Sequence, residues 1–422
     1  MILGIKVNNF LVFGGQAQMS LVADMRIKKF YSNVHSEGGF NILKSACIYG
    51  GNNVGKTCML KALAAIKAVL SDSDCDIPAN IFSSNAVCTL GVSFTDGEGA
   101  YSYEFSFDNT PDGGQPRGFV YERFASLSAD KYGNVSERDI FVRDIEKDSF
   151  FFEGDKELSS LLGLLSSSNI LIYAVNDKKY PAVARCKAIL TSFARSVGVV
   201  DMNNIPIDKT VSVLKNDLAI RERTVELIKL ADLDIDDYVY SEADVRPAVF
   251  RPQENVLSIP DCPEDMYRLT SIHRGKPVRS LTFDSTGTKK MVAIASYIIE
   301  ALTEGKILVV DEIDSSLHFK LTRAIVSLFN NELNSCAQLI FTVHDVTLLD
   351  CRKLFRKDQI WFASKEDGNV KLYPLASFTA GRDNVRSDTD ILEKYKSGAL
   401  GALPEPDLIA VLLGRGDDEE QA

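Results

Sequence analysis

Several ingredients are scarce in this 422-residue chain, and each scarcity removes a class of function. Its eight cysteines form no C-x-x-C pair, so neither a zinc motif nor a dithiol redox motif is present. Cys47 and Cys58 stand inside apolar runs and read as small core residues. Positive charge is short: 47 Lys and Arg against 58 Asp and Glu give a net charge of −11, which argues against a chain that coats itself in nucleic acid. No apolar run reaches the ~20 residues that span a bilayer. The opening MILGIKVNNF lacks the basic segment and apolar stretch of a secretory signal. A cytoplasmic protein with no membrane partner is the expectation. Sustained heptads are missing too, which excludes a long coiled coil. Histidine is limited to four residues.

What is present is ordinary globular composition, with 45% apolar and 25% charged residues, and a length that suggests two or three domains. The pattern divides the chain into residues 1–175, with a glycine loop and a β-rich lobe, and a helical insertion over 176–240. A second α/β part covers 241–405, and an acidic tail 406–422. Within the first part, KSACIYGG reads as a buried strand and GKTCMLKALAAIKAVL as the helix after it. Short strands and polar turns fill 71–170. Residues 178–233 read as helical, with Asp208 capping one helix that runs to about 233. YRLTSIHRGKPVRSLTF reads as a hairpin around RGK. Beyond 285, helix and strand alternate, as in a mostly parallel sheet between helix layers. The expectation is one α/β sheet, shared by the glycine loop and the C-terminal half and split by a long insertion.

The chemistry starts at Gly50–Thr57, which fits G-x-x-x-x-G-K-[ST]. Gly50 and Gly55 let backbone N–H groups wrap phosphates, with Asn52 and Asn53 between them. Lys56 adds a charge at the β/γ oxygens, Thr57 offers a hydroxyl to Mg²⁺, and Cys58 opens the helix whose positive end faces the anions. Strand KILVVDE then ends in Asp311, a candidate second Mg²⁺ ligand, and Glu312, placed to polarise an attacking water. ATP and Mg²⁺ are the cofactors implied.

Two further elements narrow the class. FDSTGTKK puts Ser285 and Gly287 at a helix start 26 residues before Asp311, and QLIFTVHD ends a strand in His344, 33 residues after it. In this order the motifs resemble those of ABC-type P-loop ATPases. The resemblance implies that Ser285 and Gly287 contact the γ-phosphate held by a second subunit. It makes His344 a switch that senses that phosphate, and makes Asp314, in DSSLH, the centre of a D-loop facing the partner. The whole run, through FRKDQIWFASKEDGNVKLYPLASF and the Tyr395, Gly398, Gly401, Pro404 pattern, resembles the RloA-like relatives of the OLD proteins of bacterial phage defence. OLD proteins also carry a C-terminal Toprim nuclease. Only 78 residues follow His344, so the chain reads as an ATPase without one. No Q-loop glutamine can be assigned.

The resemblance implies an ATP-sandwiched homodimer, or a larger assembly, acting as a defence sensor or scaffold. A separate nuclease or toxin would be its effector, and a phage protein or nucleic acid its trigger. The alternative is an SMC-like DNA-repair or chromosome-maintenance ATPase, against which stand the acidic charge and the missing coiled-coil arms. A transporter subunit fits less well, because 228 residues separate Thr57 from Ser285.

Overall fold

A computed structural model describes residues 1–402 apart from 113, 131–132, 217, 232–233, 241–267, 367, 380, 384 and 386–388. The acidic tail, Pro404 and Cys262 lie outside the described residues, as does the boundary drawn at 241.

Two large sheets organise the chain. The six-stranded sheet runs Val197–Asp201, Ile307–Asp311, Gln338–Thr342, Ser45–Tyr49, Ile360–Glu366, Asn369–Pro374. Its pairs are parallel except the last, which is an antiparallel edge. Strand ends that point the same way collect their loops on one rim, where ligands of open α/β sheets bind. The seven-stranded sheet is antiparallel, and its long strands include Val87–Thr95, Ala100–Asp112 and Gln115–Ala129. This is the β-rich lobe.

The two-residue period of a strand splits the central sheet's side chains between two cores. Ala46, Ile48, Ile307, Val309 and Ile340 join the core that holds helix Lys56–Leu70 and the antiparallel sheet. Cys47, Tyr49, Leu308, Val310, Leu339 and Phe341 join the opposite core, with helices Thr286–Glu304 and Phe319–Phe329. Both faces are covered, which is why these strands read as unbroken apolar runs. One buried side chain stitches the sheets together. Gln338 accepts from the N–H of Ile2 at 2.7 Å and donates to the carbonyls of Ile2 and Leu43 at 3.0 and 2.9 Å.

Three readings need correction. The stretch 178–233 is not wholly helical: helix Pro181–Ser196 passes without a loop into strand Val197–Asp201, the edge of the central sheet. Pairing with Ile307–Asp311 decides its state, which local propensity cannot. Helical residues cover Asp208–Asn216 and Leu218–Leu230, with 217 outside the described residues, and Asp208 is the first helical residue of its segment rather than its cap. The hairpin is real, with Arg274 and Gly275 both at positive φ as a tight two-residue turn requires. However, Ser280–Phe283 turns helical rather than extending the strand.

Candidate functional site

The phosphate loop leaves strand Ser45–Tyr49 and enters helix Lys56–Leu70. Its glycines answer to space. A Cβ on Gly50 would stand 2.4 Å from the carbonyl oxygen of Ala363, and one on Gly55 2.8 Å from Val12 and 3.1 Å from Val370. Gly55 also sits at φ 90°, a left-handed value that disfavours side chains. Asn53 shares that region at φ 60°, and Asn52 and Asn53 are exposed on the loop. Cys58 is half-buried on the first helical turn, where burial pushes its thiol up.

Lys56 is 6% exposed and donates to the carbonyls of Gly50 and Gly51, both at 2.8 Å. The loop is thus wound around its own ammonium. Burial lowers the pKa of Lys56, against the pull of Glu312, Asp311 and Asp314. Those three carboxylates define the negative side of the cleft.

Thr57 and Asp311 converge, the Thr57 hydroxyl donating to Asp311 Oδ1 at 3.2 Å. The same oxygen accepts from Thr342, a buried hydroxyl at the end of the neighbouring strand. Thr342 Oγ1 also accepts from the backbone N–H of Glu312 at 2.7 Å. Glu312 lies at φ 52°, a strained value for a non-glycine residue that turns its carboxylate off the strand line. His344 Nε2 lies 3.5 Å from Glu312 Oε1. Asp314 Oδ2 accepts from the N–H groups of His344 and Asp345 at 3.0 and 2.6 Å, tying the turn after Glu312 to the end of strand Gln338–Thr342.

This donor set suits a magnesium–nucleotide rather than a bare cation. Among the described residues no cluster of three or more His, Cys, Asp or Glu could hold a metal alone. Magnesium is commonly held by one or two carboxylates together with substrate phosphates. Thr57 and Asp311 would hold it.

Ser285 and Gly287 stand elsewhere. Ser285 is exposed and caps helix Thr286–Glu304, accepting from the N–H of Thr288 at 3.1 Å. Gly287 packs on the turn after Glu312, where a Cβ would meet the carbonyl oxygen of Ser316 at 2.6 Å. Among the described residues neither is hydrogen-bonded to the phosphate loop of its own chain. His318 caps helix Phe319–Phe329, accepting from the N–H of Lys320. Tyr395 stacks on Phe362 at 5.6 Å and meets Tyr49 edge-on at 6.2 Å, so it braces the strand that feeds the loop.

Two residues of the cleft escape the sequence reading: Thr342, described above, and Asn203, whose amide donates to Glu312 Oε2 at 2.7 Å. Thr342 stands two positions before His344 in FTVH, on the strand beside Asp311, which is a usable signal. Asn203 has none, because it lies in the turn after strand Val197–Asp201, which follows a helix without a loop.

Among the described residues no helix is long and apolar enough to cross a membrane. Curated proteins give no sequence match. Solved structures similar in fold include the SMC head domain from Thermotoga maritima, at 10% identity and TM-score 0.41, covering 88% of this chain and 98% of that one. An SmcHead bound to the C-winged helix domain of ScpA has 11% identity and TM-score 0.46, covering 88% and 97%. The Pyrococcus furiosus Smc head with an extended coiled coil has 13% identity and TM-score 0.39, covering 94% and 99%. The family model described as "AAA domain, putative AbiEii toxin, Type IV TA system" matches residues 45–350, which span the phosphate loop, Asp311 and His344, and the chain belongs to that family.

Proposed function

We propose that this chain hydrolyses ATP with Mg²⁺ and uses the cycle as a sensor or scaffold in bacterial anti-phage defence, controlling a separate effector such as a nuclease or toxin. The observation that carries the hydrolytic reading is the convergence of Lys56, Thr57, Asp311 and Glu312 on one rim of the parallel sheet. Lys56 neutralises the β/γ oxygens, and Thr57 and Asp311 hold the ion, which when bound offsets charge on the leaving phosphates. Glu312 orients and polarises the attacking water, and His344 reports on the terminal phosphate beside it. The defence reading is supported by the family description and by the resemblance to OLD-related ATPases.

Exposure of Ser285 at a helix N-terminus supports a second copy completing the site: each nucleotide would lie between one chain's Lys56 and the other's Ser285 and Gly287. Glu312→Gln should keep ATP bound but slow cleavage by about 10²- to 10⁴-fold, so that an ATP-dependent assembly accumulates. Adding Ser285→Arg should dissolve that assembly. Mass photometry with ATP compares the two variants, and equal assembly in both would reduce Ser285 to a helix cap.

A further inference from the structure

We infer that Asn203 is the positioning residue for Glu312 and joins it to the helix carrying Ser285 and Gly287, an inference that rests on the hydrolytic reading above. Asn203 lies just past the edge strand Val197–Asp201, in a turn pinned by Asp201. One Asp201 oxygen accepts from the backbone N–H of Asn203 at 2.9 Å and the other from the side chain of Asn204 at 3.1 Å. From there the Asn203 amide donates to Glu312 Oε2 at 2.7 Å. Its own oxygen accepts from the Ser315 hydroxyl at 2.8 Å, and Ser315 Oγ accepts from Lys290 Nζ at 2.9 Å.

Elementary chemistry fixes the direction of this chain. An ammonium can only donate and an ionised carboxylate can only accept. Ser315 therefore accepts from Lys290 and spends its single proton on Asn203. The amide must then turn its oxygen to Ser315 and its N–H to Glu312. Only one orientation of the amide satisfies both ends. The run leads from a cation on helix Thr286–Glu304 to the carboxylate that would polarise water, donor to acceptor at every step.

Two consequences follow for Glu312. Its Oε2 is held by Asn203 while Oε1 faces His344, so Asn203 sets the rotation of the carboxylate in the cleft. Helix and turn are also in direct contact, because Gly287 lies against Ser316 beside the Ser315–Lys290 bond. A second copy docking on Ser285 would thereby act on the carboxylate of the chain it docks on. Neither an aspartate nor an alanine at 203 preserves the relay, since the one repels Glu312 and the other has no polar atom.

The test uses the full chain with Mg²⁺ and ATP, measuring steady-state turnover and the affinity for a fluorescent ATP analogue. Asn203→Ala is made in the wild-type and in the Glu312→Gln background. In the wild type it should lower kcat about 10- to 100-fold with KM and nucleotide affinity unchanged, the usual effect of removing a group that orients a reacting one. In the Glu312→Gln background it should add nothing, because the residue it positions is already lost. Lys290→Ala should lower kcat in the same background-dependent way. Wild-type kcat in Asn203→Ala, or an equal further loss in both backgrounds, overturns the inference. A drop in nucleotide affinity or in melting temperature that accounts for the lost turnover also overturns it, as a structural role. If Glu312→Gln itself turns over at the wild-type rate, the hydrolytic role of Glu312 falls and the relay falls with it. A stalled Glu312→Gln beside an unaffected Asn203→Ala sinks the relay alone.

Discussion

Glu312 at the end of a parallel strand and Glu122 on the antiparallel lobe are both carboxylates held by the fold, yet their surroundings differ in kind. The Glu122 side chain is 1% exposed and saturated from within the fold. It accepts from Tyr103 at 3.0 Å, from Arg143 at 3.2 Å and from the N–H of Leu171 at 3.0 Å. Arg143 in turn donates to the carbonyls of Leu165, Ser166 and Asn169, so the pair fastens the 165–171 segment to the sheet. The Glu312 side chain is 34% exposed and stands on a rim beside a lysine and a histidine. The first carboxylate has no capacity left for an outside ligand. The second keeps it, and that separates an acid that builds the fold from one that can do chemistry.

The comparison breaks most sharply at Lys56. Lys56→Ala removes both the charge proposed for the β/γ oxygens and the internal fastening of the loop to Gly50 and Gly51. ATP binding and hydrolysis should be lost, with the antiparallel lobe still folded. Isothermal titration with ATP and a circular dichroism melt check both halves. Retained affinity would remove the phosphate assignment.

The reciprocal change is Glu122→Ala, which strands the buried Arg143 without its partner. Breaking such a pair costs about 3–5 kcal/mol. Urea unfolding should show this loss, while folded protein at low urea still binds ATP with wild-type affinity. A loss of nucleotide binding in the folded variant would mean that the lobe is no mere scaffold.

A subtler difference lies in pH. Burial raises Glu122 from 4.5 to about 6, opposed by Arg143. The folded state then holds this proton more tightly than the unfolded chain. The stability it contributes is full below the ordinary glutamate value and is lost as pH rises through about 6. A shift of that size corresponds to about 2 kcal/mol. Melts from pH 4 to 7 should show wild type losing stability relative to Glu122→Gln as pH climbs. Parallel curves would mean that Glu122 stays ionised throughout.

Much of the parallel sheet was legible because its strands are buried on both faces and its glycine loop must lie between strand and helix. The β lobe was legible from alternation, as in AYSYEFSF, where Tyr103 and Phe105 are buried. Strand Val197–Asp201 was not, since it abuts a helix without a loop and is defined by its partner Ile307–Asp311. Asn203 stayed hidden for the same reason: 109 residues separate it from Glu312, and only the edge strand brings it there. The helix start at Asp208 and the helical turn at Ser280–Phe283 show the reverse limit, where apolar spacing is right but the ends are set by neighbours. Ser285 is readable as a cap from either level, since a partner's nucleotide lies in neither.

Strand order carries a consequence for how the protein is made. Ser45–Tyr49, which feeds the phosphate loop, is flanked on one side by Gln338–Thr342 and on the other by Ile360–Glu366. Both neighbours leave the ribosome some three hundred residues after it. Until then an apolar strand has two open edges, and the Gln338 stitch to Ile2 is missing as well. Such long-range pairing is slow and leaves sticky intermediates exposed during synthesis. The nucleotide cleft is therefore among the last parts of the molecule to form, and a nascent or truncated chain lacking the C-terminal strands carries the GKT motif without a site in which to use it.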